Sequence, residues 1–231
     1  MSKTLLSIDW DYFIPIKESW SGSYIENKRN IMLIWYKRYF ESKRHGNNIE
    51  KSIRVGNELY RFICNMRKYF KLRKNIKMYV SDSHKFSYDI ALKNKCESVI
   101  NVDAHSDLGY GGIKSLEFEV NCANWLGKLL KNNIIKSANI IYSPYTMEYK
   151  EEFSEINNKF NVNYTQLEHI SDMKIEAIHI CRSGSWTPPW LDDFFNKFIH
   201  SFSIPYKTMD CPLRSWHPEK LTLADRIYMC I

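Results

Sequence analysis

Ser98-Val99-Ile100-Asn101-Val102-Asp103-Ala104-His105-Ser106-Asp107 is the stretch of sequence that decides the fold. A short, mostly β-branched run followed by polar residues and then glycines predicts a buried strand of a parallel sheet with polar residues at its carboxyl end. Residues two apart on a strand point to the same side, roughly 7 Å apart. We therefore expect Asp103, His105 and Asp107 to face one small volume. They suit a metal site, although aspartates that cap a solvated strand end would give the same pattern.

Two further apolar runs end in the same kind of residue. Residues 4–13 run into Asp9 and Asp11, and residues 76–84 end in His84. In an open α/β sheet, functional groups gather beyond the carboxyl ends of neighbouring parallel strands. The sequence therefore predicts one site with six candidate metal ligands: Asp9, Asp11, His84, Asp103, His105 and Asp107.

The charges of the four aspartates predict that this site contains cations. Carboxylates that converge within a few ångströms repel one another, and some would take up protons unless cations lie among them. Two divalent ions would balance four carboxylates. An oxygen-rich set with two imidazoles and no thiolate favours Mn²⁺ ahead of Fe²⁺ or Zn²⁺. Two such ions can share a hydroxide, which is a nucleophile at neutral pH.

Three short motifs are similar to those of the arginase/ureohydrolase family. Residues 103–107 resemble its Asp-Ala-His-x-Asp motif, and Ser7-Ile8-Asp9-Trp10-Asp11 resembles its Ser-x-Asp-x-Asp motif. Ser81-Asp82-Ser83-His84 resembles a Gly-Gly-Asp-His motif without its glycines. The Ser-x-Asp-x-Asp element comes last in ordinary arginases and first here. The short, rearranged pattern resembles the peptide arginases of ribosomal peptide biosynthesis, which convert arginine within a precursor peptide to ornithine.

The resemblance implies both a fold and a reaction. The fold would be an arginase/deacetylase-like, three-layer α/β/α domain with a mostly parallel sheet, in which the Ser-x-Asp-x-Asp strand has moved to the N-terminus. Asp9 and Asp103 would bridge two Mn²⁺ ions and hold the hydroxide between them. The reaction would be hydrolysis of an arginine guanidinium group to ornithine and urea. The remaining ligands would complete one ion each, in the pairs His84 with Asp107 and His105 with Asp11.

The segment after the Asp103 strand contains candidates for a residue that assists catalysis by transferring protons. In ordinary arginases a histidine of this region shuttles protons, and this chain has none between His105 and His169. Glu119, Asn121 and Cys122 are the candidates for that role, although each residue type is also common at a helix start or in a core.

Substrate-binding residues are predicted after the strand over residues 175–183, since that loop also lies at a carboxyl strand end. Arg182, Ser183 and Trp186 are candidates there. Asp192 could pair with a guanidinium group in the bidentate manner that suits arginine. A helix start favours an acid at this position on dipole grounds alone.

Length and composition predict a single domain over residues 1–231, and the resemblance implies that it is an arginase-like metallohydrolase domain. Hydrophobic residues make up 44% of the chain, and no run approaches eighteen apolar residues. No secretion signal is recognisable, and the six cysteines are scattered without a Cys-x-x-Cys pair. We therefore expect a cytoplasmic protein with no membrane partner.

The net charge of +7 raises the question of whether the chain binds an acidic partner. Much of the excess lies in residues 28–77, where two amphipathic helices are predicted with their basic residues on the outer face. The main interpretation is that this basic face is simply exposed to solvent. The alternative is that it binds an acidic peptide leader or nucleic acid. No nucleic-acid-binding motif supports the latter. The expected partner is an arginine-containing precursor peptide.

Three other functions remain open at this stage. The chain could hydrolyse another small guanidine or amide with the same metals. It could be a two-metal phosphoesterase. It could also be a non-enzymatic basic module that binds peptide or nucleic acid, in which the strand-end acids are only structural.

Overall fold

The computed structural model describes residues 3–15, 17, 20, 31–70, 72, 75–170 and 173–230, with the side chains of residues 228–230 excepted. Within these residues, seven strands form one sheet in the order β5-β4-β3-β1-β6-β2-β7, and every pairing is parallel. The predicted α/β fold with a mostly parallel sheet is confirmed. The strands are β1 (Lys3–Asp9), β2 (Lys77–Ser81), β3 (Ser98–Asp103), β4 (Ser137–Tyr142), β5 (Val162–Tyr164), β6 (Lys174–Cys181) and β7 (Tyr206–Met209).

Helices connect the strands and cover both faces of the sheet. Alternate residues of a strand point to opposite faces, so Leu6 and Ile8 enter one apolar core and Leu5 enters the other. Helices α1, α3 and α7 contribute to the first core, and α4, α5 and α6 to the second. The arrangement has three layers, with the sheet in the middle. The helices are α1 (Ile31–Arg44), α2 (Ile49–Ser52), α3 (Glu58–Tyr69), α4 (Phe86–Lys93), α5 (Trp125–Lys131), α6 (Ser154–Lys159), α7 (Asp192–Ser201) and α8 (Leu223–Cys230).

Strand β1 is the centre of the sheet. It pairs with β3 on one side and with β6 on the other, and β6 in turn pairs with β2. The sheet extends from β1 in both directions. Open α/β sheets form their binding crevice at such a point, outside the carboxyl ends of the strands. The carboxyl ends of β3, β1, β6 and β2 therefore lie side by side.

Two strands end earlier than the alternating pattern predicts. Strand β1 stops at Asp9 and turns into a 3₁₀ helix, Trp10–Phe13. Strand β3 stops at Asp103, and residues 104–107 leave the strand as a loop. Asp11, His105 and Asp107 lie beyond the ends of these strands. Turns therefore determine where their side chains point, and strand alternation does not.

The prediction that the basic residues lie on the outer face is incomplete, and the C-terminal residues contain elements that the sequence pattern does not reveal. Arg38 of α1 belongs to the predicted outer face but is buried, with its guanidinium 4.5 Å from the Trp35 ring centre and bonded to the carbonyl of Ser185. Residues 201–231 show no clear period in the sequence, yet they contain β7 and α8. Most residues of β7 are exposed, so that edge strand has no apolar alternation to reveal it.

The longest helix in the described part of the chain has 14 residues, and none there is long and apolar enough to cross a membrane. The cysteines whose side chains are described are all free thiols.

Candidate metal centre

Three strand ends bring the predicted ligands together. Asp9 and Asp103 are the last residues of β1 and β3, the two neighbouring central strands. Asp11 lies in the 3₁₀ turn after β1, where its backbone N–H donates to Oδ1 of Asp9 over 3.0 Å. His84 follows β2 and His105 follows β3. Both predicted motifs and the degenerate third one therefore converge on one edge of the sheet.

The convergent side chains form two groups, each of which could bind a metal ion. In each group the ligand atoms lie within 4.8 Å of one another. One group is Asp9, His84 and Asp103, and the other is Asp11, Asp103 and His105. Asp103 is shared between them.

The two oxygens of Asp103 serve different groups. Oδ2 lies 3.1 Å from Nδ1 of His84, while Oδ1 lies 3.7 Å from Nδ1 of His105 and accepts the backbone N–H of His105 over 2.9 Å. His84 Nδ1 is also 3.3 Å from Asp9, and His105 Nδ1 is 3.0 Å from Asp11. Asp103 therefore presents one oxygen to each of the two groups of candidate ligands.

Asp107 lies beside the first group. Its Oδ2 is 2.7 Å from Nδ1 of His84, and the indole N–H of Trp125 donates to the same oxygen. The backbone of Asp107 is left-handed, with φ of 54°, a conformation that aspartate adopts more readily than most residues. This turn directs Asp107 back towards His84. The Trp125 ring also packs 4.9 Å from the imidazole of His84.

Burial and mutual repulsion shift the pKa values of these groups. Burial and neighbouring carboxylates raise the pKa of Asp9 well above its ordinary value and raise that of Asp11. Burial, with repulsion from Asp103, raises the pKa of Asp107 to about 7. Burial alone would lower the pKa of both histidines, but the carboxylates beside them outweigh it and raise both well above 6.5. The cluster thus binds protons where positive charge is missing, which fits a site for divalent cations.

Asp103 shows the opposite shift. Burial acts to raise its pKa, but hydrogen bonds from His105 and His84 and their positive charges lower it below the ordinary value. Asp103 is therefore the carboxylate that stays ionised at the centre of the cluster.

A buried chain of hydrogen bonds lies beneath the carboxylates, on the side of the sheet covered by α4. Nε2 of His84 is 2.7 Å from the Ser7 hydroxyl, which is 2.7 Å from the Ser87 hydroxyl. Ser87 is 2.6 Å from Nδ1 of His179, and Nε2 of His179 is 2.8 Å from the Ser81 hydroxyl. Each of these side chains is at least 98% buried.

The direction of this chain follows from its last member. Ser81 donates its proton to the backbone carbonyl of Ser83 over 2.8 Å, and a carbonyl can only accept. Ser81 must therefore accept from Nε2–H of His179, which leaves Nδ1 of that ring to accept from Ser87. Continued through Ser7, the same logic places a proton on Nε2 of His84. Nδ1 of His84 is then the nitrogen that can offer a lone pair to a cation, and it is the nitrogen that faces the carboxylates.

A cavity of about 290 Å³ opens above the carboxylates. This is near the lower end for small-molecule sites and is suited to one amino-acid side chain or a small molecule. The described residues that line it include four acids but no lysine or arginine, although the whole chain has a net charge of +7. Its rim carries exposed apolar side chains, with Tyr110 45% and Met147 41% exposed.

The candidate substrate-binding residues divide into two pairs. Ser183 and Trp186 line the cavity, and the Ser183 hydroxyl donates to Oδ2 of Asp9. Arg182 and Asp192 are not among the described lining residues. Arg182 donates from Nε to Asp82 over 2.8 Å, and Asp192 accepts from both Arg182 and Arg214.

The ion pairs of Arg182 and Asp192 connect segments of the fold to one another. Arg214 also donates to the carbonyls of Gly184 and Thr187, so it ties the C-terminal segment to the loop after β6. Asp192 accepts hydrogen bonds from both guanidinium groups through its two oxygens, and Asp82 is the closer partner of Arg182.

Of the three candidate catalytic helpers, one lines the cavity and two are not among its described lining residues. Cys122 lines the cavity. Glu119 and Asn121 are exposed and belong to the turn before α5, where the Asn121 side chain accepts the N–H of Ala123 and donates to the Glu119 carbonyl. They are not among the described residues that line the cavity.

Sequence reasoning missed two features of the site. The first is Glu148, which lines the cavity from the segment after β4 and looks in the sequence like one of several surface acids there. The second is the role of Ser87 and His179. A histidine inside the apolar run of β6 was a local signal, but its partner lies 92 residues away.

Comparisons of the chain with protein-family models, curated proteins and solved structures found no match. The fold and the site define its class: an α/β protein with a seven-stranded parallel sheet and a buried cluster of aspartates and histidines at the carboxyl ends of its central strands, which could bind metal.

Proposed function

We propose that the chain is a binuclear manganese hydrolase that cleaves the guanidinium group of arginine within a precursor peptide, in the cytoplasm. Water adds its oxygen to the guanidinium carbon, the bond from that carbon to the side-chain nitrogen breaks, and the nitrogen takes a proton. The products are urea and ornithine.

The observation that carries the proposal is the position of Asp103 between two groups of ligands. Six carboxylate and imidazole side chains, one of them the shared carboxylate of Asp103, suit two ions of the Mn²⁺ type. When bound, such a pair supplies an activated water nucleophile at neutral pH and stabilises negative charge that develops in the transition state. Asp9, Asp11, His84, Asp103, His105 and Asp107 would hold the two ions.

The cavity supports a cationic side chain as the substrate. Its walls are acidic, its volume suits one side chain, and its exposed apolar rim gives flanking peptide residues a surface to contact. The resemblance of the three motifs to the peptide arginases agrees with this choice.

The test combines metal content with product formation. Purified protein is loaded with Mn²⁺, its metal is counted by mass spectrometry, and urea release from an arginine-containing peptide is measured. Asp9→Ala and Asp103→Ala are compared with Asp89→Ala, which removes an exposed carboxylate of α4. We expect about two ions per chain and urea release in the parent and in Asp89→Ala, and loss of both in the other two variants.

The other outcomes are informative. Bound metal without urea would remove arginine from the proposal and turn attention to another guanidine, an amide or a chromogenic phosphodiester as substrate. Absence of metal in excess Mn²⁺ would favour the non-enzymatic basic module.

A further inference from the structure

Glu148 is an acid of the cavity wall that does not belong to either group of metal ligands. Its Oε2 accepts the backbone N–H of Ser106 over 2.8 Å and the hydroxyl of Tyr142 over 3.2 Å, while Tyr110 donates its hydroxyl to Oε1. These three donors are neutral at pH 7. They hold the carboxylate in one orientation without cancelling its charge.

No described lysine or arginine forms an ion pair with Glu148, and none lines the cavity. Burial raises the pKa of Glu148, which expresses the cost of a charge in this position. A carboxylate accepts about four hydrogen bonds, and three are used by the protein, so one acceptor site remains.

The positive charge of the His105 imidazolium acts on Glu148, but this ring would be neutral as a metal ligand and would then leave the charge of Glu148 unbalanced. Two divalent ions would balance the four aspartates of the metal ligands, and Glu148 is left over.

We infer that Glu148 binds the positively charged group of the substrate and that it gives the cavity its preference for cationic over neutral side chains. The inference deepens the proposed function and rests on it for the charge balance of the two ions. Tyr110, Tyr142 and the Ser106 backbone act as positioning groups, because they fix the two carboxylate oxygens.

The preference is measured with a pair of ligands that guanidinium hydrolysis cannot consume. One is a blocked tripeptide with a central lysine, and the other has norleucine at the same place, which lacks only the ammonium group. Both are titrated into the manganese-loaded full chain by calorimetry. We expect the lysine peptide to bind about tenfold more tightly or better, as for other partly buried charge pairs.

The variants separate charge from structure. Glu148→Gln removes the charge at nearly constant size and is expected to abolish the tenfold preference. Glu148→Asp restores the charge and is expected to recover part of it. Glu152→Gln is the matched control, because it makes the same change at an exposed residue four positions along, and it should retain the full preference.

Metal content and urea release are recorded on the same samples, so that this inference and the proposed function can fail separately. A Glu148-dependent preference without urea release supports the cation subsite and rejects the reaction. Urea release with the same preference in Glu148→Gln as in the parent overturns the subsite alone. Equal binding of the two peptides by the parent, or binding of neither, also overturns it.

Discussion

Nε2 of His84 lies 2.7 Å from the hydroxyl of Ser7, while Nδ1 of the same ring lies 2.7 Å from Oδ2 of Asp107. The two nitrogens therefore have different tasks. One is engaged by a buried chain of hydroxyls that ends at a carbonyl, and the other is directed at the carboxylates. The protein thereby selects the imidazole tautomer that can bind a cation through Nδ1.

Removal of one hydroxyl from this chain is expected to weaken metal binding without a change in any ligand. Ser87→Ala leaves Ser7 and His179 without their common partner, so His84 is no longer held in one tautomer. Comparable changes to the groups that orient a metal ligand lower metal affinity about 10- to 100-fold. The affinity for Mn²⁺ is measured by competition with a chelating dye. Ser42→Ala is the control, because that buried hydroxyl has no hydrogen-bond partner among the described residues, and equal affinities in the two variants would contradict the prediction.

Asp103 and Asp11 are expected to differ in the number of ions that they support. Asp103 belongs to both ligand groups and Asp11 to only one. Asp103→Asn should therefore lose both ions, whereas Asp11→Asn should retain about one ion at the Asp9, His84 and Asp103 group. Metal per chain, measured by mass spectrometry after gel filtration, distinguishes the two. Equal losses in both variants would mean that the two ions bind only as a pair.

His179 is expected to make stability depend on pH. Burial and the nearby charge of His84 lower its pKa well below 6.5, so the folded protein keeps this ring neutral while the unfolded chain binds a proton below about pH 6.5. The unfolded state then carries more protons, and the free energy of unfolding falls as the pH falls, by up to about 1.4 kcal/mol per unit for one such group.

The experiment compares the metal-free parent with His179→Asn by urea denaturation between pH 7.5 and 5.5. Asparagine does not titrate and can still accept a hydrogen bond from Ser87. We expect the variant to be less stable at pH 7.5, with a difference that narrows towards pH 5.5. A constant difference over this range would show that His179 does not resist protonation in the folded state.

Asp192 is expected to affect stability, because it forms ion pairs with both Arg182 and Arg214. Asp192→Asn leaves two largely buried guanidinium groups with too little negative charge, which costs about 3 kcal/mol when a buried pair is broken. Asp193→Asn, at the exposed neighbouring position, should change the free energy of unfolding by less than about 0.5 kcal/mol. Thermal and urea unfolding measure both. A stable Asp192→Asn protein with weakened peptide binding would instead restore the role in substrate binding that the sequence suggests for Asp192.

The local pattern of the sequence is sufficient for the strands that carry the site and for the metal-ligand types. Apolar runs that end in acids and histidines mark β1, β2 and β3, and parallel strands bring such ends to one edge whatever their order in the chain. That rule correctly predicts that Asp9, Asp103 and His84 lie together. It does not give the correct reason for Asp11, His105 and Asp107, which turns after the strands bring to the same point.

Contacts between distant segments decided the rest. Glu148 faces the cavity because Ser106, Tyr110 and Tyr142 hold it there, and nothing in its own neighbourhood distinguishes it from the surface acids Glu151 and Glu152.

The same reason explains why the sequence pattern points to Arg182 and Asp192 as substrate-binding residues. Their partner Arg214 comes from a segment without a recognisable period, 22 residues after Asp192. The sequence alone determined the strands β1, β2 and β3 and the residue types that end them, because these depend on neighbours in the chain. The tertiary structure decided which polar side chains face the cavity and which neutralise one another, because charge pairing and tautomer selection depend on groups that only folding brings within hydrogen-bond distance.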